Sequence, residues 1–339
     1  MNLDKKYILI FFLWVILSSF SGFEYRNIKT QEPLSIHIVE IDPNKYEISP
    51  SLANDNKISK ETVLDIAKRK KVKAAINGGF FKIDGRPAGI LKIDNKWISL
   101  PEKQRAALGW DRSNTIFMID RLDTKATVLL QNLEFSIDGI NRPREKDERI
   151  LYLYPFYNTY QADSNNLSCQ VLSKNFFLAF NSEDKISTFL KYNNFDYKVD
   201  IFPKISPTLS YIWDDLDHIV GGTPLLIYNR EKIFDFSSER TLQKFLTNKY
   251  ARTAIGIKEN GNLLFVVVDG NDYKNSVGLT IDELRDLMYD LGSIYALNLD
   301  GGGSSTMVID DKLINNPEDW YMEEVSNVIL ILKKIILLD

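Results

Sequence analysis

The sequence predicts an α+β fold, a mixed β-sheet core with flanking helices in which glycine loops at strand ends form one pocket. Three observations predict it. Short runs rich in Val, Ile and Leu recur at 34–41, 72–76, 263–268 and 295–299, with the length and composition of buried strands. Two segments carry helix start signals. Four strand ends stop at glycine: Asn77-Gly78-Gly79, Gly221-Gly222-Thr223-Pro224, Asp269-Gly270 and Asp300-Gly301-Gly302-Gly303-Ser304.

The elements follow in order. Lys5 and Lys6 precede an apolar run from Tyr7 to Leu17, and small residues surround Ser21, the order of a secretory signal peptide over 1–21. The run is short for a membrane span, so contact with a membrane is expected only through an uncleaved signal segment, and the mature chain is expected in the periplasm or outside the cell. Residues 22–339 then read as a single domain. A helix starting at Ser59, with Glu61 in its first turn, buries Val63, Leu64, Ile66 and Ala67 and ends in Lys68 to Lys71. Asp94-Asn95-Lys96 suits a hairpin between strands at 90–93 and 97–99. The stretch 149–217, rich in Tyr, Phe, Asn and Ser, reads as an insertion or lid, its aromatics (Tyr152, Tyr154, Phe156, Tyr157) serving packing more than sugar stacking. In the second half, Thr280 and Glu283 form a capping box for a helix that buries Ile281, Leu284, Leu287, Met288 and Leu291 and stops at Gly292. Residues 328–338 read as a final strand with a tail.

Composition excludes several function classes. Of 339 residues, 44% are hydrophobic, and 42 basic side chains face 46 acidic ones for a net charge of −4, so there is no overall basic field to grip nucleic acid. One cysteine, Cys169, and two histidines cannot close a disulfide within the chain or furnish a His/Cys zinc cage. A Ser/His/Asp plan survives only with His37 or His218 as base, and neither lies in a nucleophile motif.

The chemistry points to the glycine turns. If the strands at 263–268 and 295–299 are parallel, the helix between them is a crossover that sends Asp269 and Asp300 to one sheet edge. Their separation then depends on whether another strand intervenes. Glycine lets a ligand approach the main chain, and successive N–H groups can form an anion nest. Arg252, at the start of a strand, has a planar fork suited to phosphate. Asp269, Asn271 and Asp272 resemble part of an oxygen-ligand calcium loop, although the Gly and Glu of an EF-hand pattern are absent, so no cofactor is required and calcium is the ion the residues admit.

Taken in order, Ala75-Ile76-Asn77-Gly78-Gly79-Phe80-Phe81, Gly221-Gly222-Thr223-Pro224-Leu225, Arg252-Thr253-Ala254-Ile255-Gly256, Val267-Val268-Asp269-Gly270 and Leu297-Asn298-Leu299-Asp300-Gly301-Gly302-Gly303-Ser304-Ser305-Thr306-Met307 resemble the phosphodiester glycosidase domain family over about residues 34–332. The resemblance implies a hydrolase that cleaves the sugar C1–O bond of a sugar-1-phosphodiester in an envelope or extracellular glycan. It implies Asp269, Asp300 and Arg252 as catalytic residues. Asn77, Gly78, Gly79, Gly221, Gly222, Gly301, Gly302, Gly303 and Ser304 would bind the phosphorylated carbohydrate. Glu323 and Glu324 precede Val325-Ser326-Asn327 where family members often carry an arginine. The alternative is a non-catalytic module that binds phosphorylated glycan through the same loops.

Overall fold

The computed structural model describes residues 21–30, 33–55, 57–130, 133–145, 147–153, 155, 169–172, 176–180, 184, 196–272, 274–317 and 322–334. The signal segment, except Ser21, lies outside the described residues, as do Tyr154, Phe156 and Tyr157. Strands dominate, arranged in several sheets, and helices are few and short. The α+β reading is thereby narrowed to a mostly β architecture.

Alternation of apolar residues explains the layering. In the first sheet the order is Phe23–Lys29, Ser35–Ile41, Leu263–Val268, Arg252–Lys258, Ser293–Asn298, Leu225–Tyr228, Glu231–Lys232. Every pairing in it is antiparallel. Its central strands are apolar on both faces. Ile255, Phe265, Val267 and Leu297 face the main core, while Ala254, Leu264, Val266 and Ala296 face the opposite cluster. That second face is covered by the Ile281–Asp290 helix through Leu284 and Met288. Its capping box is present as the sequence predicts, and Gly292, at φ +87°, follows its end in the left-handed conformation that glycine adopts without strain.

The main core is shared with two more sheets. Leu108 and Val220 come from a sheet built on Phe117–Leu130, Arg105–Trp110 and His218–Gly221. Ile76, Met307, Ile329 and Ile331 come from a five-stranded sheet of Lys312–Leu313, Met307–Ile309, Ala74–Asn77, Asn327–Lys333 and Tyr46–Leu52. Three sheets therefore pack on one another and end near one another.

Local readings are corrected in places. The first helix is Val63–Lys70, not begun at Ser59, because Thr62 Oγ1 accepts from Asp65 N while Glu61 pairs with Arg69 and its backbone joins a two-residue strand contact. The strands Leu263–Val268 and Ser293–Asn298 run in the same direction, but Arg252–Lys258 lies between them, antiparallel to both. Within 149–217, Tyr152 is buried, Leu151, Leu153, Phe176 and Phe180 join a core cluster, and Asp196–Pro203 pairs with Phe117–Leu130. Those side chains and that strand are packed into the body of the protein.

Candidate functional site

Ends of strands from all three sheets converge on a polar junction. Asn77 closes a strand of the third sheet, and its Nδ2 donates to Asp300 O at 2.8 Å. Asp300 N donates to Gly78 O at 3.2 Å. Thr253, the second residue of the strand between the two aspartate-bearing strands, donates from Oγ1 to Asn77 Oδ1 at 2.7 Å. The Gly221-Gly222-Thr223 turn is tied in by Thr223 N to Asn298 O at 2.9 Å and Asn298 Nδ2 to Thr223 O at 2.6 Å.

Glycine is required here by close approach. A Cβ on Gly79 would stand 2.4 Å from Gly221 O, and one on Gly222 would stand 2.4 Å from Asn298 O, distances that backbone atoms cannot relieve without moving. The anion nest expected from the sequence is corrected. The N–H groups of Gly78, Gly79, Gly221, Gly222, Gly301 and Gly302 donate to Asn327 O, Asn327 Oδ1, Ile90 O, Ala106 O, Asp300 Oδ1 and Ala251 O. These glycines let loops pack on each other, and their donors are spent inside the protein.

Asp300 is the perturbed acid of the junction. Its Oδ1 accepts from Gly301 N at 2.9 Å and its Oδ2 lies 3.2 Å from Ser304 Oγ, which in turn lies 2.8 Å from Glu323 Oε2. Burial pushes the Asp300 carboxyl up to about 7, outweighing the Gly301 N–H bond that lowers it; the negative charge of Glu323 adds a lesser upward push and the Ser304 hydroxyl a lesser downward one. Ser304 is buried, whereas Glu323 is exposed.

Asp269 sits in a separate arrangement. Its Oδ2 lies 3.1 Å from His37 Nε2, and its Oδ1 accepts from Asn315 Nδ2 at 3.1 Å and Asn316 N at 2.9 Å. His37 Nδ1 is 2.9 Å from the Tyr25 hydroxyl. With a strand between their own strands, the chain ends carrying Asp269 and Asp300 are about two strand spacings, roughly 10 Å, apart. The connection between them is indirect: Asn315 Nδ2 also donates to Ser305 O, and Ser305 Oγ lies 3.3 Å from Thr253 Oγ1, the partner of Asn77. His218, the other histidine, is buried, accepts from Asp94 N at 3.1 Å, and has its ring pushed down by burial.

Arg252 is placed differently from a phosphate clamp. Because Arg252 shares a face with Ala254, it points to the helical side of the first sheet. It is fully buried, donating from Nε to Leu279 O at 2.8 Å and from Nη2 to Phe245 O at 2.8 Å and Asn248 O at 2.9 Å. Its guanidinium lies 4.6 Å from the Phe245 ring and 5.2 Å from the Tyr250 ring, and Nη1 has no partner among the described residues. Burial lowers it to about 10, which leaves it charged at neutral pH.

The loop after Asp269 does not fit calcium. Asp269 is engaged as above, and the half-buried Asp272 accepts from Lys274 N, Asn275 N and Asn275 Nδ2 in a local turn. Among the described residues no group of three or more His, Cys, Asp or Glu side chains could hold a metal ion. A cavity of about 600 Å³ lies elsewhere, lined in part by Lys82, Arg86, Asn141, Arg142 and Glu148, and contains none of the junction residues. Reading the sequence missed Thr253, Ser305, Asn315 and Asn327 as parts of the junction. Their signal was present only as polar residues flanking the glycine motifs, in Arg252-Thr253, Ser304-Ser305 and Ser326-Asn327.

Comparison with known proteins bears on the same segment. Residues 165–332 match the family model described as phosphodiester glycosidase. N-acetylglucosamine-1-phosphodiester alpha-N-acetylglucosaminidase of Mus musculus is 34% identical over 85 residues, 25% of this chain and 16% of that protein. The chain thus matches about a sixth of the length of the curated relatives first found. A hypothetical protein from Synechocystis has a similar fold, with a TM-score of 0.76 at 19% identity over 92% of this chain and 62% of the other. The catalytic domain of the zebrafish N-acetylglucosamine-1-phosphodiester alpha-N-acetylglucosaminidase gives a TM-score of 0.50 at 18% identity, over 92% of this chain and 82% of the other.

Proposed function

From the match of residues 165–332 to the phosphodiester glycosidase family model, we propose that this protein is a hydrolase that cleaves the bond between a sugar's anomeric carbon and the oxygen of a phosphodiester. The observation that carries the reading is Asp300, a carboxyl raised to about 7 at the end of a strand within the matched segment. A phosphate monoester leaves far more readily than a sugar alkoxide, so the reaction asks chiefly for a base and for orientation. In this reading a water oxygen attacks C1, the C1–O bond breaks with its electron pair going to the phosphate oxygen, and the water's proton passes to Asp300. A base with a pKa near the working pH is suited to that transfer.

The remaining residues take supporting roles. Asn77 and Ser304 hold the Asp300 loop through their contacts with Asp300 O and Asp300 Oδ2, and the close loop packing allowed by Gly79 and Gly222 fixes its place. Asp269, with both oxygens engaged by His37, Asn315 and Asn316, fixes the neighbouring strand end. Arg252, with its donors on backbone carbonyls, braces the wall formed by Phe245 and Tyr250. The substrate is a phosphorylated glycan met outside the cytoplasm, after export by the N-terminal leader.

A panel of sugar-1-phosphodiesters, with and without chelator, tests the reading when run in water enriched in oxygen-18. Label on the released sugar supports cleavage at C1. Label on phosphate assigns the protein to the phosphodiesterases, and binding without product assigns it to the glycan-binding modules.

A further inference from the structure

Ser304 places one hydroxyl proton between two carboxylates. Its Oγ is 3.2 Å from Asp300 Oδ2 and 2.8 Å from Glu323 Oε2, and a hydroxyl donates one hydrogen bond at a time. With both acids ionised, one of these two contacts has no hydrogen in it. One added proton on Asp300 satisfies both: Asp300 donates to Ser304 Oγ, and Ser304 donates to Glu323. The shorter contact is the one to Glu323, which matches that direction of donation.

The surroundings favour the same count. Asp300 Oδ1 takes the Gly301 N–H, and the remaining groups that face this carboxyl are Ser304 and Glu323. Among the described residues neither Asp300 nor Glu323 has a cation within ion-pair distance, so no positive charge relieves the pair. Gly303 makes the approach possible, since a Cβ there would lie 2.9 Å from Glu323 Oε2. Glu323 itself is exposed, which gives the half-buried Asp300 a second route to solvent.

We propose that Glu323 is a positioning residue that shares one proton with Asp300 through the Ser304 hydroxyl. The proposal rests on the reading of Asp300 as the base, and it gives that base a second carboxylate that sets when it is ready to accept a proton. Nothing is consumed. The proton held on Asp300 leaves to solvent at the Glu323 end after each turnover, by transfer from Asp300 Oδ2 to Ser304 Oγ as the Ser304 proton passes to Glu323 Oε2.

The test is a carboxyl carbon-13 titration of the full chain labelled at aspartate, with the Asp300 resonance identified by its loss in Asp300→Asn. Glu323→Gln keeps the size and an acceptor for Ser304 but removes the charge. It is expected to lower the Asp300 midpoint by about one pH unit, a roughly tenfold change in proton affinity. Glu324→Gln, on the neighbouring exposed residue, is the control and leaves the midpoint in place. A Glu323→Gln protein that melts with its parent and keeps the Asp300 midpoint within about 0.3 units overturns the proposal. On an active substrate, the acid limb of the rate profile moves with the midpoint. Failure of every sugar phosphodiester to react sinks the hydrolase reading and leaves the titration to decide the proton sharing on its own.

Discussion

Replacing Arg252 by Met tests whether this buried guanidinium is a structural brace. Three carbonyls lose a donor: Leu279 O, Phe245 O and Asn248 O, now held at 2.8, 2.8 and 2.9 Å. Leu279 is buried and its carbonyl keeps only the longer bond from Tyr250 N at 3.2 Å, so losing the charged donor there costs about 1.5–3 kcal/mol. Phe245 is half-buried and Asn248 exposed at the end of the short Gln243–Thr247 helix, so water can replace their donors and each loss is about 0.5 kcal/mol. The two ring contacts add about 0.5–1 kcal/mol each. Removing the cost of burying a charge with one unpartnered nitrogen returns part of the total. The net expectation is a loss of about 2–4 kcal/mol, or roughly 4–8 °C in melting temperature for a chain of this size. Scanning calorimetry of parent and variant reads it directly. A melting temperature unchanged or raised would show that desolvation of the guanidinium outweighs its hydrogen bonds, and the bracing role would fall.

Further expectations follow from the same junction. Gly222→Ala puts a methyl 2.4 Å from Asn298 O and 2.8 Å from Leu297 Cγ, and is expected to cost about 1–3 kcal/mol in denaturant unfolding; a cost below about 0.5 kcal/mol contradicts the close loop contact. Asp300 titrates higher in the folded protein, at about 7, than an aspartate does in an unfolded chain, so its contribution to stability is fully present below about pH 4 and is lost as pH rises through about 7. Asp300→Asn removes the charge that the fold disfavours and is therefore expected to melt higher than the parent at about pH 8, by about 1–3 kcal/mol after allowance for solvent screening, with little difference at about pH 4. Equal differences at the two pH values would refute the raised carboxyl.

Much of the framework was legible because it is written in local pattern. The Thr280 to Glu283 capping box and Gly292 delimit the long helix by local hydrogen bonding, and the apolar run from Leu263 to Val268 is a strand because both of its faces are buried. Strand order was not legible. The helix from Ile281 correctly implied two co-directional strands, but only long-range pairing inserts Arg252–Lys258 between them, which separates Asp269 from Asp300. The facing of Arg252 was equally hidden, since a one-residue shift in register exchanges the two sides of a strand. The glycine motifs pointed to the right loops but for a different reason, because whether an N–H is free depends on residues as distant as Asn327 and Ala106. Glu323 stood out in the sequence only as a departure, and its approach to Ser304 across 19 positions is a tertiary fact.

The most direct test is turnover of a sugar-1-phosphodiester by the parent and by Asp300→Asn, across pH. The parent is expected to release free sugar at a rate that falls about tenfold per unit as pH drops below about 7, and the variant to lose activity by a factor of about 10²–10⁴ while remaining folded. Release of sugar by Asp300→Asn at the parent rate, with the same pH profile, would contradict the assignment of the base to this carboxylate.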